Sequence, residues 1–167
     1  DVLSGGFAQG ASTITQQTVK ALFLTPEKSI GRKLKELILA YRIERKLTKE
    51  EILYLYLNQI YLGDGAYGVE AAAQTYFSRG VSTLTVAEGA LLAGLAQAPS
   101  RYSPRSHIDK ARARQRYVLR RMAEVGFLDK DAAEKAYGAR LALAPPSTFR
   151  SKAAYFLEHV RNYLQEK

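Results

Sequence analysis

Along most of this chain apolar residues recur with the 3.6-residue period of a helix, while clean two-residue alternation hardly occurs, and this pattern predicts a mainly α fold. The longest periodic segment runs from Thr25 to about Leu47, with Ile30, Leu34, Leu37, Ile38 and Tyr41 on one stripe. Thr25-Pro26-Glu27 offers it an N-cap and a proline at the first helical position. Thr48 with Glu51, and Thr85 with Glu88, have the spacing of capping boxes and predict two more helices. Asp109 is expected to cap a helix that ends at Gly126, with Ala111, Val118, Met122 and Val125 turned inward. Asp129 is expected to cap a short helix ending at Gly138, and Arg150 to Gln165 reads as a last amphipathic helix beyond Pro145-Pro146. Glycines gather at Gly5, Gly6 and Gly10 and again at Gly63, Gly65 and Gly68, marking two irregular loops. Residues 1–9 are expected to be flexible and 147–167 to form the C-terminal helix of a single domain.

Composition narrows the chemistry. The 167 residues contain 47% apolar side chains, enough for one buried core, and no cysteine, which excludes disulfides, thiolate metal sites and cysteine nucleophiles. Only His107 and His159 are present, in no paired motif, so a histidine metal site or a Ser-His-Asp triad has little to draw on. Twenty-five Lys and Arg against 16 Asp and Glu give a formal charge of +9, which favours anionic partners, phosphates among them. The longest apolar run, Ala90 to Ala96, falls far short of a membrane span, so any membrane contact within this sequence is peripheral. The chain opens at Asp1 with neither an initiator Met nor a signal-peptide pattern, the expectation for a processed chain or part of a longer one.

Several clusters can carry chemistry. Gly10-Ala11-Ser12-Thr13-Ile14-Thr15-Gln16-Gln17 packs hydroxyls and carboxamides before an apolar helix; such side chains cap a helix, or with free backbone N–H groups hold an anion or sugar hydroxyls. Gln16 and Gln17 have no evident capping role. Lys28, Arg32, Lys33 and Glu36 share the polar side of the Thr25 helix, away from the Leu34, Leu37 and Tyr41 stripe. Two readings stay open for them: a solvated face with i,i+4 ion pairs, or the wall of a cleft whose cations suit a pyrophosphate, directly or through a metal ion. Asn58 to Gly68 is a helix exit into a glycine and tyrosine loop. Lys110, Arg112, Arg114, Arg116, Arg120 and Arg121 fall on two helical rows, the pattern of a solvated face.

Taken together these segments resemble the family 51 glycosyltransferases, the peptidoglycan glycosyltransferase domain of class A penicillin-binding proteins and their monofunctional relatives. Gly10 to Gln17 is similar to the family's second motif, Arg32-Lys33-Leu34-Lys35-Glu36 to its third (R-K-x-x-E), Lys49 to Asn58 to its fourth, and the segment around Arg114 and Tyr117-Val118-Leu119 to its fifth. The likeness covers most of residues 10–125. Gln115 stands where a second arginine is usual, and Ser78 where a glycine is. The first motif, E-D-x-x-F-x-x-H-x-G, which carries the glutamate taken as general base, does not occur in this sequence; the resemblance puts it before Asp1, and the 167-residue piece alone is expected to be inactive.

The resemblance implies a lysozyme-like α fold with a smaller membrane-facing lobe, bordered by Phe7, Phe23 and Leu24. It implies inverting transfer of a lipid-linked glycan strand to the 4-hydroxyl of lipid II, with undecaprenyl diphosphate leaving. Glu36 and Lys33 would then be catalytic; Lys20, Lys28, Arg32, Ser12, Gln17, Asn58 and Arg114 would bind diphosphate or substrate, and Gln16 would be structural. Glu36 would act as a proton donor or hold a divalent cation (Mg or Mn), with no organic cofactor. The site would lie at the outer face of the bacterial cytoplasmic membrane, anchored by a transmembrane helix outside this sequence, with a transpeptidase domain as a further partner in the same protein. Three rivals exist. A glycan-cleaving lysozyme-like enzyme needs one raised-pKa acid and has no use for a cationic cluster. A nucleic-acid-binding domain needs its cations on one groove-facing row, and here they are spread over the chain. A non-catalytic remnant would bind lipid II or glycan without turnover.

Overall fold

The computed structural model describes residues 12–23 and 29–146. The expectations for residues 1–9 and 147–167, for Lys28, and for Phe7 and Leu24 lie outside them. Seven helices follow in order: α1 (Ile14–Phe23), α2 (Ile30–Glu44), α3 (Lys49–Gln59), α4 (Val69–Phe77), α5 (Val86–Leu95), α6 (Ile108–Glu124) and α7 (Lys130–Gly138), with a 3₁₀ turn at Val81–Thr83 between α4 and α5. Among the described residues no strand forms, only an isolated bridge between Tyr61 and Tyr67.

Where helix ends are written in local side chains, they form as expected. Thr48 Oγ1 accepts from Glu51 N–H while the Glu51 carboxylate accepts from Thr48 N–H, and Thr85 with Glu88 repeats the exchange, so orphan donors at both N-termini are satisfied. Asp129 accepts from Ala132 N–H at the head of α7. Gly126, at φ +84°, follows the end of α6 in the left-handed conformation that only glycine adopts without strain. Two starts differ. The cap of α2 is Ser29, whose Oγ accepts from Arg32 N–H at 3.0 Å, so the helix begins four residues beyond the expected Thr25 cap and ends at Glu44, short of Leu47. At α6 the cap position is His107, with no side-chain bond, and Asp109 sits inside the first turn, where its charge favours the helix dipole instead.

The interior is built on α5. Its sequence is apolar all round, and Ala87, Ala90, Leu91, Leu92, Gly94 and Leu95 are all buried because α4, α6 and α7 cover it on several sides. Leu91, Leu92 and Leu95 join Leu62, Tyr76 and Phe77 in the main core, whereas Ala90, Leu119 and Ala133 form a second where α5, α6 and α7 meet. Gly94 is required for the close approach of α6: a Cβ there would stand 3.0 Å from Cγ of Arg114. Val125, expected inward, is 57% exposed at the frayed end of α6. The other half of the molecule consists of α1, α2 and α3 packed on one another, joined to the core through contacts of α3 with α4.

Between the halves the 60–68 loop is fixed from below. The buried Tyr76 hydroxyl donates to Leu62 C=O at 3.0 Å, and Gly68 (φ +79°) lies so near α3 that a Cβ would meet the Asn58 carbonyl at 2.7 Å. Arg105 ion-pairs with Asp64 and donates to the carbonyls of Thr75 and Ala144, each at 2.8 Å, tying the loop, α4 and the last described segment together.

Leu119 is 1% exposed at the α5–α6–α7 junction. Leu119→Ala is expected to cost about 2 to 5 kcal/mol in urea denaturation, with Phe127→Ser at an exposed site within about 0.5 kcal/mol of the parent.

Candidate active site

The N-terminus of α1 and the first two turns of α2 bring the expected residues together. Thr13 Oγ1 accepts from Gln16 N–H at 3.2 Å and caps α1, leaving Ser12 immediately ahead of the helix. Gln17, expected to bind diphosphate or substrate, donates from Nε2 to the Ser12 carbonyl at 3.2 Å and braces the turn. From α2, Lys33 Nζ donates to Ser12 Oγ at 3.3 Å and forms an ion pair with Glu36 three residues on. The Glu36 residue is 2% exposed, while the Lys33 side chain is 46% exposed, so the carboxylate sits inside and its counter-charge reaches solvent. Arg32, on the same face as Glu36 one turn earlier, has Nε and Nη1 buried with no hydrogen-bond partner among the described residues. Buried guanidinium donors without a partner are costly, and an anion is what they accept.

This arrangement overturns one expectation about α2. Its inward face carries Glu36 and Ala40, and the apolar stripe points outward: Ile30 is 89% exposed, with Leu34, Leu37, Ile38 and Tyr41 exposed as well. The Glu36/Ala40 side is therefore packed against the body of the protein, with Lys33 at its solvent edge. Ser12, just ahead of α1, is half-buried and faces Lys33 of α2, and Thr15 of α1 is buried.

Other candidates stand elsewhere. Lys20 is exposed on the last turn of α1. Asn58 is exposed and spends its amide locally, Nδ2 donating to the Tyr54 carbonyl at 2.7 Å. Arg114 lies on α6, which packs on α5 and α7 and makes no helix contact with α1, α2 or α3. Its guanidinium rests 4.4 Å from the Tyr117 ring centroid and 6.0 Å from that of Tyr102, and its Nε is buried without a partner among the described residues. Gln115, in place of a second arginine, is fully buried: its Nε2 donates to the Ala87 carbonyl at 2.7 Å and its Oε1 accepts from Arg112 at 2.8 Å, a link between α5 and α6. On α3, burial pushes the Tyr56 phenol above its ordinary pKa. The Arg105 tie had no local signal in the sequence, since its partners are far away along the chain; in the glycine and tyrosine loop, Tyr61 and Tyr67 pair with ring centroids 4.9 Å apart. Among the described residues no three His, Cys, Asp or Glu side chains gather as a metal site.

The sequence pattern described as transglycosylase matches residues 1–123. The chain is 47% identical over 164 residues to penicillin-binding protein 1A of Aquifex aeolicus, covering 98% of this chain and 22% of that protein. It is 49% identical over 154 residues to penicillin-binding protein 1A of Rickettsia felis, covering 92% of this chain and 20% of that protein. In structure it is similar to penicillin-binding protein 1A from Haemophilus influenzae, with a TM-score of 0.58, 29% identity, and coverage of 91% of this chain and 20% of that one. The chain thus spans about a fifth of the length of the relatives it matches, and the mainly α, lysozyme-like architecture expected from the motifs is the one found.

Removing Lys33 alone leaves a buried carboxylate without its counter-charge. Lys33→Met is expected to lower stability by about 1 to 3 kcal/mol, and the double change Lys33→Met with Glu36→Leu to regain most of it. Equilibrium denaturation of the two variants checks this.

Proposed function

The chain belongs to the transglycosylase family, the family 51 glycosyltransferase domain of class A penicillin-binding proteins; from that premise we propose that it polymerises lipid II into β-1,4-linked glycan strands with release of undecaprenyl diphosphate. The observation that carries this reading is the pair of buried Arg32 donors, without a partner among the described residues, beside the Lys33–Glu36 pair. In glycosyl transfer from a lipid diphosphate, negative charge grows on the leaving group as the anomeric bond breaks, and fixed cations act best on charge that appears in the transition state. Arg32 and Lys33 supply such cations from a helix whose position is set by packing. The described residues thus form the leaving-group side of the reaction, while the sugar 4-hydroxyl needs a carboxylate base.

Glu36 holds Lys33 in place and is the acidic residue nearest the departing oxygen in this reading. As a lone carboxylate it fits a divalent cation only where diphosphate oxygens complete the shell, the usual manner of Mg²⁺; such an ion would neutralise leaving-group charge. Ser12 and Gln17 shape the same wall; Asn58 and Arg114, the other expected substrate contacts, stand apart from it. A lysozyme-like cleavage reaction has no use for the cations gathered here.

The substrate's polyprenyl tail places this chemistry at a membrane surface. No helix among the described residues is long and apolar enough to cross a membrane, but the outward stripe of α2 supports peripheral contact. Leu37, Ile38 and Tyr41 line a shallow groove with Arg42, Arg45 and Lys46, and Phe23 of α1 is 61% exposed. Apolar side chains bordered by cations suit an anionic lipid surface. The face opposite carries Glu36, so α2 would separate lipid from site. In the whole protein a transmembrane anchor and a transpeptidase domain are further parts of this reading.

Polymerisation of lipid II by the full-length parent tests it: Lys33→Ala and Glu36→Gln are each expected to lower kcat about a hundredfold while circular dichroism stays native. Undiminished polymerisation in both removes the assignment. For the membrane face, Leu37→Glu with Tyr41→Glu is expected to cut co-sedimentation of the 167-residue chain with anionic vesicles about tenfold.

A further inference from the structure

We propose, resting on the glycosyltransferase reading above, that Ser12 is a positioning residue: its hydroxyl orients the Lys33 ammonium toward the substrate anion, and Gln17 acts through Ser12. Lysine ends in a flexible four-carbon stem and a tetrahedral ammonium with three donors. The Glu36 ion pair lies on the same helix and takes one of them. With that contact alone, the ammonium turns freely about the pair and its other two donors point in no fixed direction. The bond to Ser12 Oγ, 3.3 Å long and bridging 21 residues of sequence, takes the second. Two fixed bonds on a tetrahedral centre determine the direction of the third. On a side chain 46% exposed, that third donor is the one left for an incoming oxygen anion.

The anchor itself has to be firm, and Ser12 precedes α1, where helix hydrogen bonds do not hold it. The Gln17 amide supplies the missing restraint through the Ser12 carbonyl, 3.2 Å away, while Thr13 caps the next turn. Gln17 thus touches neither Lys33 nor Glu36 in this arrangement and acts at one remove. The arrangement also sorts the polar residues of the Gly10–Gln17 segment: Thr13 and Gln17 serve the backbone, and Ser12 alone reaches across to α2.

Steady-state polymerisation of lipid II by the full-length parent and its variants decides the matter. Ser12→Ala is expected to lower kcat about tenfold with KM within about twofold, the size of a lost hydrogen bond to a charged group. Ser12→Thr keeps the hydroxyl and is expected to restore kcat; Ser12→Cys keeps the shape with a weak acceptor and is expected to behave like alanine, which separates the bond from packing. Gln17→Ala is expected to be milder, and the Ser12→Ala, Gln17→Ala double variant no slower than Ser12→Ala alone. A rise in KM with kcat unchanged would overturn the proposal, because the hydroxyl would then bind substrate itself. So would additive losses in the double variant, or failure of threonine to rescue. An active parent with an unaffected Ser12→Ala variant sinks the positioning role alone; a parent that does not polymerise lipid II sinks the activity reading and this proposal together.

Discussion

A carboxylate placed inside a small helical domain must keep a counter-charge, and the burial of Glu36 sets the terms for everything around it. Lys33 answers from three residues earlier on the same helix, and because its stem is long enough to reach past the helix surface, it answers from the solvent side. That leaves the polar wall of α2 turned toward α1, and the apolar stripe turned away from the body. The sequence order Arg32, Lys33, Glu36 is therefore more than a row of charges: it fixes which way the helix faces.

The two halves of the molecule divide the labour in a way their compositions explain. Around α5 the chain has alanine, leucine and glycine in nearly every place, so four helices can close on one another with short side chains and α6 can pass over Gly94. Stability is concentrated there. The α1–α3 half buries Thr15, Thr18 and Glu36 beside Val19, Ala40 and Ile52, while Phe23, Ile30, Leu34, Tyr41 and Tyr54 are exposed. Such a half gains less from burial and holds its shape through hydrogen bonds at helix ends. It is the half able to present charges at a surface.

What was legible in the sequence follows the range of the interaction that encodes it. Capping boxes at Thr48 and Thr85, the Asp129 cap and the Gly126 stop depend on residues within four positions, and all took the form their spacing dictates. The Thr25-Pro26 signal lies outside the described residues, and the described start of α2 is capped by Ser29. The face of α2 was beyond local reading, since periodicity shows that a helix has two sides and not which one meets protein. Arg105 escaped for the same reason as most tertiary ties: Asp64, Thr75 and Ala144 come together only in the fold. Ser12, Lys33 and Glu36 were legible as types and as a motif, and their hydrogen bonds needed coordinates.

In the proposed reading, in which the substrate is a lipid diphosphate, the outward stripe and the inward charges on α2 belong together. A lipid diphosphate has an apolar tail and a doubly charged head a few ångströms apart, and a protein that handles both needs apolar and cationic surfaces at that spacing. One amphipathic helix supplies them back to back across its own diameter of about 10 Å. Its lipid-side residues lower the cost of approaching the bilayer, and its opposite face keeps Arg32 and Lys33 where headgroup water thins and charge interactions strengthen. In that reading, orientation at the membrane and stabilisation of the leaving group depend on one helix, so a charge placed in the Leu37–Tyr41 stripe would disturb both, while a change at Ser12 would disturb only the second.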